Sequence, residues 1–277
     1  MNSCYLIVFY FGDRRRKFPP FEEDRLCYVK KNIESLTRVK NSLDKIYFIF
    51  NVEPDHYDLL NQAIELIPKK IQSAEVEIII RQNIGISYGA WSEIIDNKNH
   101  DYYIFNEDDM FFIEDGWDRY MIKSFEEKEN CGGFGAVIRP GRKWNYNKEH
   151  FGCSAFVTSK EVAKNIKENY GGFNFKPSTD YRSSEDNQIN FSWDLIRAGY
   201  NIYDVRDDYR VYCALTSDQE MNKIHEYFMW NEKPLLVTDT VAWGMNYVWW
   251  RSGDEEFQQN FREMYPHPNL LKTSINR

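Results

Sequence analysis

Apolar residues along this chain fall into two rhythms, short unbroken runs and longer stretches spaced by three and four positions. The run Tyr5 to Phe11 predicts a buried strand, and Leu26, Val29, Ile33, Leu36, Val39 and Leu43 then recur at helical spacing. Lys45 to Phe50 predicts a second strand. Leu59, Leu60, Ala63, Ile64 and Ile67 line one face of a helix that Pro68 closes. Val76 to Ile80 reads as a third strand, Ser87 to Asp96 as a short helix and Tyr102 to Phe105 as a fourth strand. Asp115 stands where it would cap a helix carrying Trp117, Tyr120, Met121 and Phe125. Strands and helices thus alternate over residues 1–125, and the strands are apolar enough to be covered on both faces. That pattern predicts an α/β fold with a mainly parallel central sheet flanked by helices.

Past Cys131 the alternation loosens. Gly132, Gly133, Gly135, Pro140 and Gly141 surround a short strand and a polar, aromatic loop through His150. Gly152 to Thr158 predicts a strand, Ser159 to Tyr170 a helix, Phe173 to Ser184 a loop and Asp186 to Ala198 another helix. Gly199 stops that helix before a strand at Tyr200 to Val205. From Thr216 the texture changes, with Tyr227, Phe228, Trp230, Trp243, Tyr247, Trp249 and Trp250 crowded together. The expected organisation is a domain over 1–215, in halves 1–125 and 126–215, with an aromatic-rich extension over 216–277 packed on it.

Composition narrows the function classes. The 277 residues include 42% hydrophobic and 17% aromatic side chains, too apolar for a disordered chain. The 35 basic and 43 acidic groups give a net charge of -8, and the one compact basic cluster is Arg14 to Lys17. A dedicated nucleic-acid binder is therefore not expected, because neutralising phosphates needs clustered Lys and Arg. The longest apolar run, Cys4 to Phe11, falls well short of the ~20 residues that span a bilayer. It also lacks the flanks of a secretory signal. Five widely spaced cysteines without a C-x-x-C pair read as reduced core thiols. A cytoplasmic protein is the expectation, with peripheral membrane contact left open. Its five histidines show no H-x-x-x-H or H-E-x-x-H spacing, so a zinc hydrolase has little support.

Three segments carry candidate chemistry. The fourth strand runs into Asn106-Glu107-Asp108-Asp109 and then into the apolar Met110-Phe111-Phe112. Adjacent acids between two hydrophobic runs repel one another and lose hydration, a cost that a divalent cation offsets. Glu107 and Asp109 can point the same way in extended chain, leaving coordination positions of Mg²⁺ or Mn²⁺ open for phosphate oxygens. A solvated acidic turn is the plainer account of the same residues. Upstream, Arg81-Gln82-Asn83-Ile84-Gly85 joins the third strand to a helix, and the glycine would let a ligand approach the backbone. A simple turn fits that spacing too. Finally, Ser183-Ser184-Glu185-Asp186 heads the later helix, either as an N-terminal cap or with one carboxylate serving as a general base.

Taken in this order, these elements resemble the GT-A glycosyltransferases, in particular the family 2-like group that uses nucleotide sugars. The likeness runs from about residue 5 to 205 through the opening strand Leu6 to Phe11, the Asn83-x-Gly85 loop and Phe105-Asn106-Glu107-Asp108-Asp109. Ser184-Glu185-Asp186, with the helix ending Arg197-Ala198-Gly199-Tyr200, completes it. The resemblance implies a Rossmann-like GT-A fold and metal-dependent transfer of one sugar from a nucleotide-diphosphate sugar to a hydroxyl of a glycan, lipid carrier or protein. It places Asp109 and Glu107 at the D-x-D metal position, although Glu replaces the first Asp; Asp109 ligates the metal, Glu107 touches it or the sugar and ribose, and Asp108 joins the nucleotide-sugar site. Asp186 becomes the base, with Glu185 next to it, and attack from the far face inverts the anomeric centre. Tyr10, Phe11, Asn51 and Glu53 fall where the nucleotide base and ribose are held, and Asn83 and Gly85 join the donor site. Asn51-Val52-Glu53 departs from the Asp often found after the second strand. Arg14 is a candidate for neutralising the leaving diphosphate. The processive Q-x-x-R-W signature is absent, since Gln188 is followed by Ile189-Asn190-Phe191-Ser192-Trp193. Two other classes stay open: a catalytically silent carbohydrate-binding module on the same scaffold, and a sugar nucleotidyltransferase, for which no Gly-rich, basic phosphate loop is visible.

Overall fold

The computed structural model describes residues 2–12, 24–108, 110–112, 115–135, 138–139, 150–151, 155–170, 191–204, 210–211 and 235–239. In chain order the elements are β1 (Ser3–Phe11), α1 (Cys27–Arg38), β2 (Lys45–Val52), α2 (Tyr57–Leu66), β3 (Lys70–Ile71), β4 (Ala74–Arg81), α3 (Ile86–Asn97), β5 (Tyr102–Glu107), β6 (Met110–Phe112) and α4 (Trp117–Glu127). Then come β7 (Cys131–Gly135), β8 (Ile138–Arg139), β9 (His150–Phe151), β10 (Phe156–Ser159), α5 (Lys160–Tyr170), helical backbone at 191–197 (α6), β11 (Asn201–Asp204), β12 (Arg210–Val211) and β13 (Leu235–Asp239).

Eight strands form the main sheet in the order β11-β7-β10-β5-β1-β2-β4-β3. β4, β2, β1 and β5 pair in parallel, whereas β10 and β3 run antiparallel to their neighbours. β1 is buried along nearly its whole length, as a central strand covered on both faces must be. The chain winds outward from β1 through β2 to β4, then returns to place β5 on the other side of β1. The strand order therefore reverses between β1 and β5, and the crevice at their carboxyl ends is the topological switch point where open α/β sheets bind ligands.

Helices are fastened to this sheet by aromatic packing. Trp91 of α3 is fully buried against Phe105 and Phe156, with ring centroids 5.1 and 5.8 Å away. Phe191 of α6 closes the same cluster against Phe156 at 5.4 Å and Tyr88 at 6.0 Å. On α4, Trp117 stacks on Phe112. A second sheet, β12-β13-β6, begins where the acidic segment ends, with Asp239 of β13 opposite Met110 of β6. β13 thus lies beside the strand that follows the acidic segment.

Two sequence expectations are corrected. Asp115 does not cap α4: its Oδ1 accepts the Lys40 N–H at 2.8 Å, and Gly116 occupies the N-cap position at φ 75°, a left-handed conformation suited to glycine. Helix α1 ends at Arg38, although the apolar spacing continues through Val39 and Leu43. There Gln72 Nε2 donates to the Leu36 and Val39 carbonyls at 2.7 and 2.8 Å, satisfying groups that a longer helix would have bonded. Cys4, Cys27 and Cys131 are buried, while Cys153 and Cys213 lie outside the described residues. No helix among the described residues is long and apolar enough to cross a membrane.

At the opposite end of the strands, buried His100 ties three elements together. Tyr47 Oη lies 2.9 Å from its Nε2 and Asn2 Oδ1 lies 2.8 Å from its Nδ1. A neutral ring fits, with Nδ1–H donating to Asn2 and Nε2 accepting from Tyr47. Burial is the largest cause of a pKa held below the ordinary 6.5. The folded state then binds fewer protons than the unfolded one, so stability falls as pH drops below 6.5 through the folded value. Urea midpoints measured on either side of that pH show this loss, and His100→Gln flattens it.

Candidate functional site

Register places the candidate residues on one face of the sheet. Val8 lies beside Glu107 of β5, and two residues further along β1 Tyr10 lies beside Asn51, which lies beside Arg81. Because side chains alternate, Glu107, Tyr10, Asn51 and Arg81 all project to the face on which α3 begins. Phe11 projects to the other face, where it is buried with its ring centroid 5.3 Å from that of Phe50.

Glu107 ends β5 at the switch point, and Ser87 Oγ in the first turn of α3 donates to its Oε1 at 2.9 Å. Asn51 is fully buried with both ends of its amide engaged. It accepts from Arg81 Nη1 at 2.5 Å and donates to the Ile86 carbonyl at 3.2 Å. Arg81 also donates to the Ile84 carbonyl at 3.0 Å and pairs with Glu93 at 2.9 Å, so one guanidinium binds the loop before α3 to the end of β2. In that loop Gly85 and Ile86 have φ of 75° and 50°. Positive φ is easy for glycine but strained for a β-branched residue, and such strain collects where a backbone must hold a fixed shape. Asn83 is 8% exposed, and its buried Oδ1 has no hydrogen-bond partner among the described residues.

Around the ends of β1 and β2, Tyr10 Oη donates to Glu53 Oε1 at 2.5 Å and Arg25 Nη2 donates to the Gly12 carbonyl at 2.9 Å. A Cβ on Gly12 would collide with Tyr10 Oη and come within 2.6 Å of Glu53 Cδ, so a larger residue there would displace this pair. From below, Asn32 of α1 donates to the Asp108 carbonyl at 2.7 Å and the Tyr28 carbonyl at 3.0 Å, while Ser35 Oγ donates to the Phe112 carbonyl at 2.5 Å. α1 therefore holds the backbone on both sides of position 109. Asn32→Ala leaves two carbonyls without that donor, and about 1–3 kcal/mol of stability is lost, read as a lower urea midpoint.

Sequence reasoning placed Tyr10, Phe11, Asn51, Glu53, Asn83, Gly85, Glu107 and Asp108 at this site, and all eight lie at the carboxyl ends of β1, β2, β4 and β5, but Phe11 faces the other side of the sheet and is corrected to a core residue packed on Phe50. Asp109, Glu185, Asp186 and Arg14 lie outside the described residues. Arg81, Ser87, Asn32 and Gly12 were missed as supports. Arg81 and Ser87 border the N-x-G loop, and their polarity next to a buried strand end was the available signal. Among the described residues, no group of three His, Cys, Asp or Glu side chains converges as a metal site.

No family model matches the sequence, and no curated protein is similar enough to be a relative. Similar solved structures include a mannosyltransferase from Pyrobaculum calidifontis in complex with GDP-Man and Mn²⁺. Its TM-score is 0.50 at 10% identity, over 82% of this chain and 63% of that one. GalNAc-T7 with UDP, GalNAc and Mn²⁺ gives a TM-score of 0.47 at 11% identity, over 73% of this chain and 41% of that one. A CMP:2-keto-3-deoxy-manno-octonic acid synthetase complexed with CTP gives 0.47 at 11%, over 82% and 98%. The mainly parallel sheet with its flanking helices has the Rossmann-like GT-A fold.

Proposed function

We propose that this chain is a metal-dependent glycosyltransferase that moves one sugar from a nucleotide-diphosphate sugar to a hydroxyl acceptor. The observation that carries the reading is the position of Glu107. It ends the strand beside β1 at the switch point, fixed by Ser87 and followed directly by Asp108 and Asp109. Hard carboxylate oxygens there suit Mg²⁺ or Mn²⁺, and a small protein ligand set leaves positions for phosphate oxygens. Asp109, with Glu107, would hold the ion, whose bound charge would offset the negative charge developing on the leaving diphosphate.

The remaining roles belong to the chain's own groups. The Tyr10–Glu53 pair, packed against Gly12, would form the wall for base and ribose. Asn51 acts as a brace, since its amide is committed to Arg81 and Ile86. Asn83 offers a buried acceptor that a donor hydroxyl would satisfy, which removes the ~1–3 kcal/mol cost of an unpaired polar atom. Phe191 lies five positions after Asp186 and packs on Tyr88, the neighbour of Glu107's partner Ser87. The helix following Asp186 is thus on the same side of the sheet as the acidic end of β5, as deprotonation of the attacking hydroxyl by Asp186 requires. Attack opposite the leaving group inverts the anomeric centre.

Thermal-shift screening against UDP-, GDP- and dTDP-sugars, with and without Mn²⁺, tests the reading. A ligand bound only by the folded state raises the melting temperature. Stabilisation by one donor class that requires Mn²⁺, accompanied by slow donor hydrolysis, is expected. Glycan binding indifferent to EDTA, with no response to any donor, would contradict it.

A further inference from the structure

β4 forms the outer border of the main sheet. β3 covers it only at Ala74 and Glu75, and one further bond joins the Val76 N–H to the Lys69 carbonyl at 3.0 Å. Beyond that point β4 has β2 on one side and, among the described residues, no strand on the other. The Glu75 N–H turns inward to the Asp44 carbonyl at 3.2 Å and that of Val76 turns outward, so alternation directs the N–H and C=O of Ile78 and Ile80 outward. Open edges are usually blunted with proline, lysine or a bulge, because their free backbone groups template further strands. Glu77-Ile78-Ile79-Ile80-Arg81 has none of these, and its pairing to β2 is regular. Ile80 is 49% exposed. With Ile84, Tyr57 and Leu66 it makes four of the five large apolar side chains exposed among the described residues, all on β4, the loop after it or the helix leading to it.

We propose that β4 seats a second copy of this chain, antiparallel about a two-fold axis at Ile79, so that two eight-stranded sheets become one. The segment is self-complementary. Read against itself in the opposite direction, Glu77 falls beside the second copy's Arg81 at both ends, Ile78 beside Ile80, and Ile79 beside Ile79. The outward groups of Ile78 and Ile80 then exchange four backbone hydrogen bonds. Shifting the axis to Ile78 needs the Val76 N–H already given to Lys69, and shifting it to Glu77 sets two acids face to face. Glu77 already contacts Lys45 and Lys98, and Arg81 holds Asn51 and Glu93, so the crossed charges choose the register while backbone and isoleucine pairing provide the adhesion. The contact is isologous and closes as a dimer.

Sedimentation velocity of the full chain over a concentration series tests this, together with two variants whose folding is checked by circular dichroism. The wild type is expected to show a monomer–dimer equilibrium. Ile80→Pro removes two of the four hydrogen bonds without touching the β2 ladder, and weakens association by about tenfold or more. Ile79→Cys places two thiols at directly opposed positions that do not exchange backbone hydrogen bonds, where side chains approach most closely, and gives a disulfide-linked dimer on mild oxidation that the wild type does not give. A wild-type chain that stays monomeric overturns the proposal. So does a dimer that the Ile79→Cys variant fails to cross-link, a readout that decides the matter even if Ile80→Pro does not fold.

Discussion

Asp109→Ala is expected to lower metal-dependent turnover of the donor sugar by roughly 100- to 1,000-fold, the loss that follows when one preorganised charge-stabilising group is removed from a reacting phosphate. Glu107→Gln should lose less. One Glu107 oxygen is already occupied by Ser87 Oγ, and the amide keeps both the shape and the bond that positions the turn. The two variants therefore separate the principal metal ligand, Asp109, from the weaker one, Glu107. Raising Mn²⁺ should restore part of the activity of Glu107→Gln and little of Asp109→Ala, measured as donor consumption at several metal concentrations. Equal and complete rescue of both would place the cation elsewhere.

The second large effect is expected at Asp186. Changing it to Asn keeps size and polarity but removes the proton acceptor, so kcat for transfer should fall roughly 100- to 10,000-fold while donor binding stays near that of the wild type. General base removal also flattens the acidic limb of the pH profile. Glu185→Gln, the neighbouring change, should be mild if Asp186 alone takes the proton. Turnover of Asp186→Asn within a few-fold of the wild type, in a folded protein, would assign the base to another group.

Much of this architecture was legible because it follows from periodicity. Tyr5 to Phe11 and Lys45 to Phe50 could be read as buried central strands from apolar runs alone, and the acidic segment was visible as three charges between two such runs. What the pattern could not show is which partner each polar group takes. Asn51 sits where a ligand contact is expected, yet Arg81 and Ile86 absorb its amide, a pairing set by register across β2 and β4. Phe11 neighbours Tyr10 in sequence but faces the opposite side of the sheet, where it joins Phe50. Met110 to Phe112 does return to the core, where Phe112 is buried against Trp117, but it also pairs with β13 in a second sheet, and that partner comes from too far along the chain for the pattern to show. Asp115 carried a capping residue's identity, but Gly116 supplied the turn and freed the carboxylate for Lys40.

Calorimetric titration of UDP and GDP into the wild-type chain and Asp109→Ala, in Mn²⁺ and then in EDTA, tests most directly whether the acids ending β5 hold a cation that grips a diphosphate. The account predicts nucleoside diphosphate binding that requires Mn²⁺ and is lost in Asp109→Ala. Binding of equal strength in EDTA, or in the variant, would contradict it.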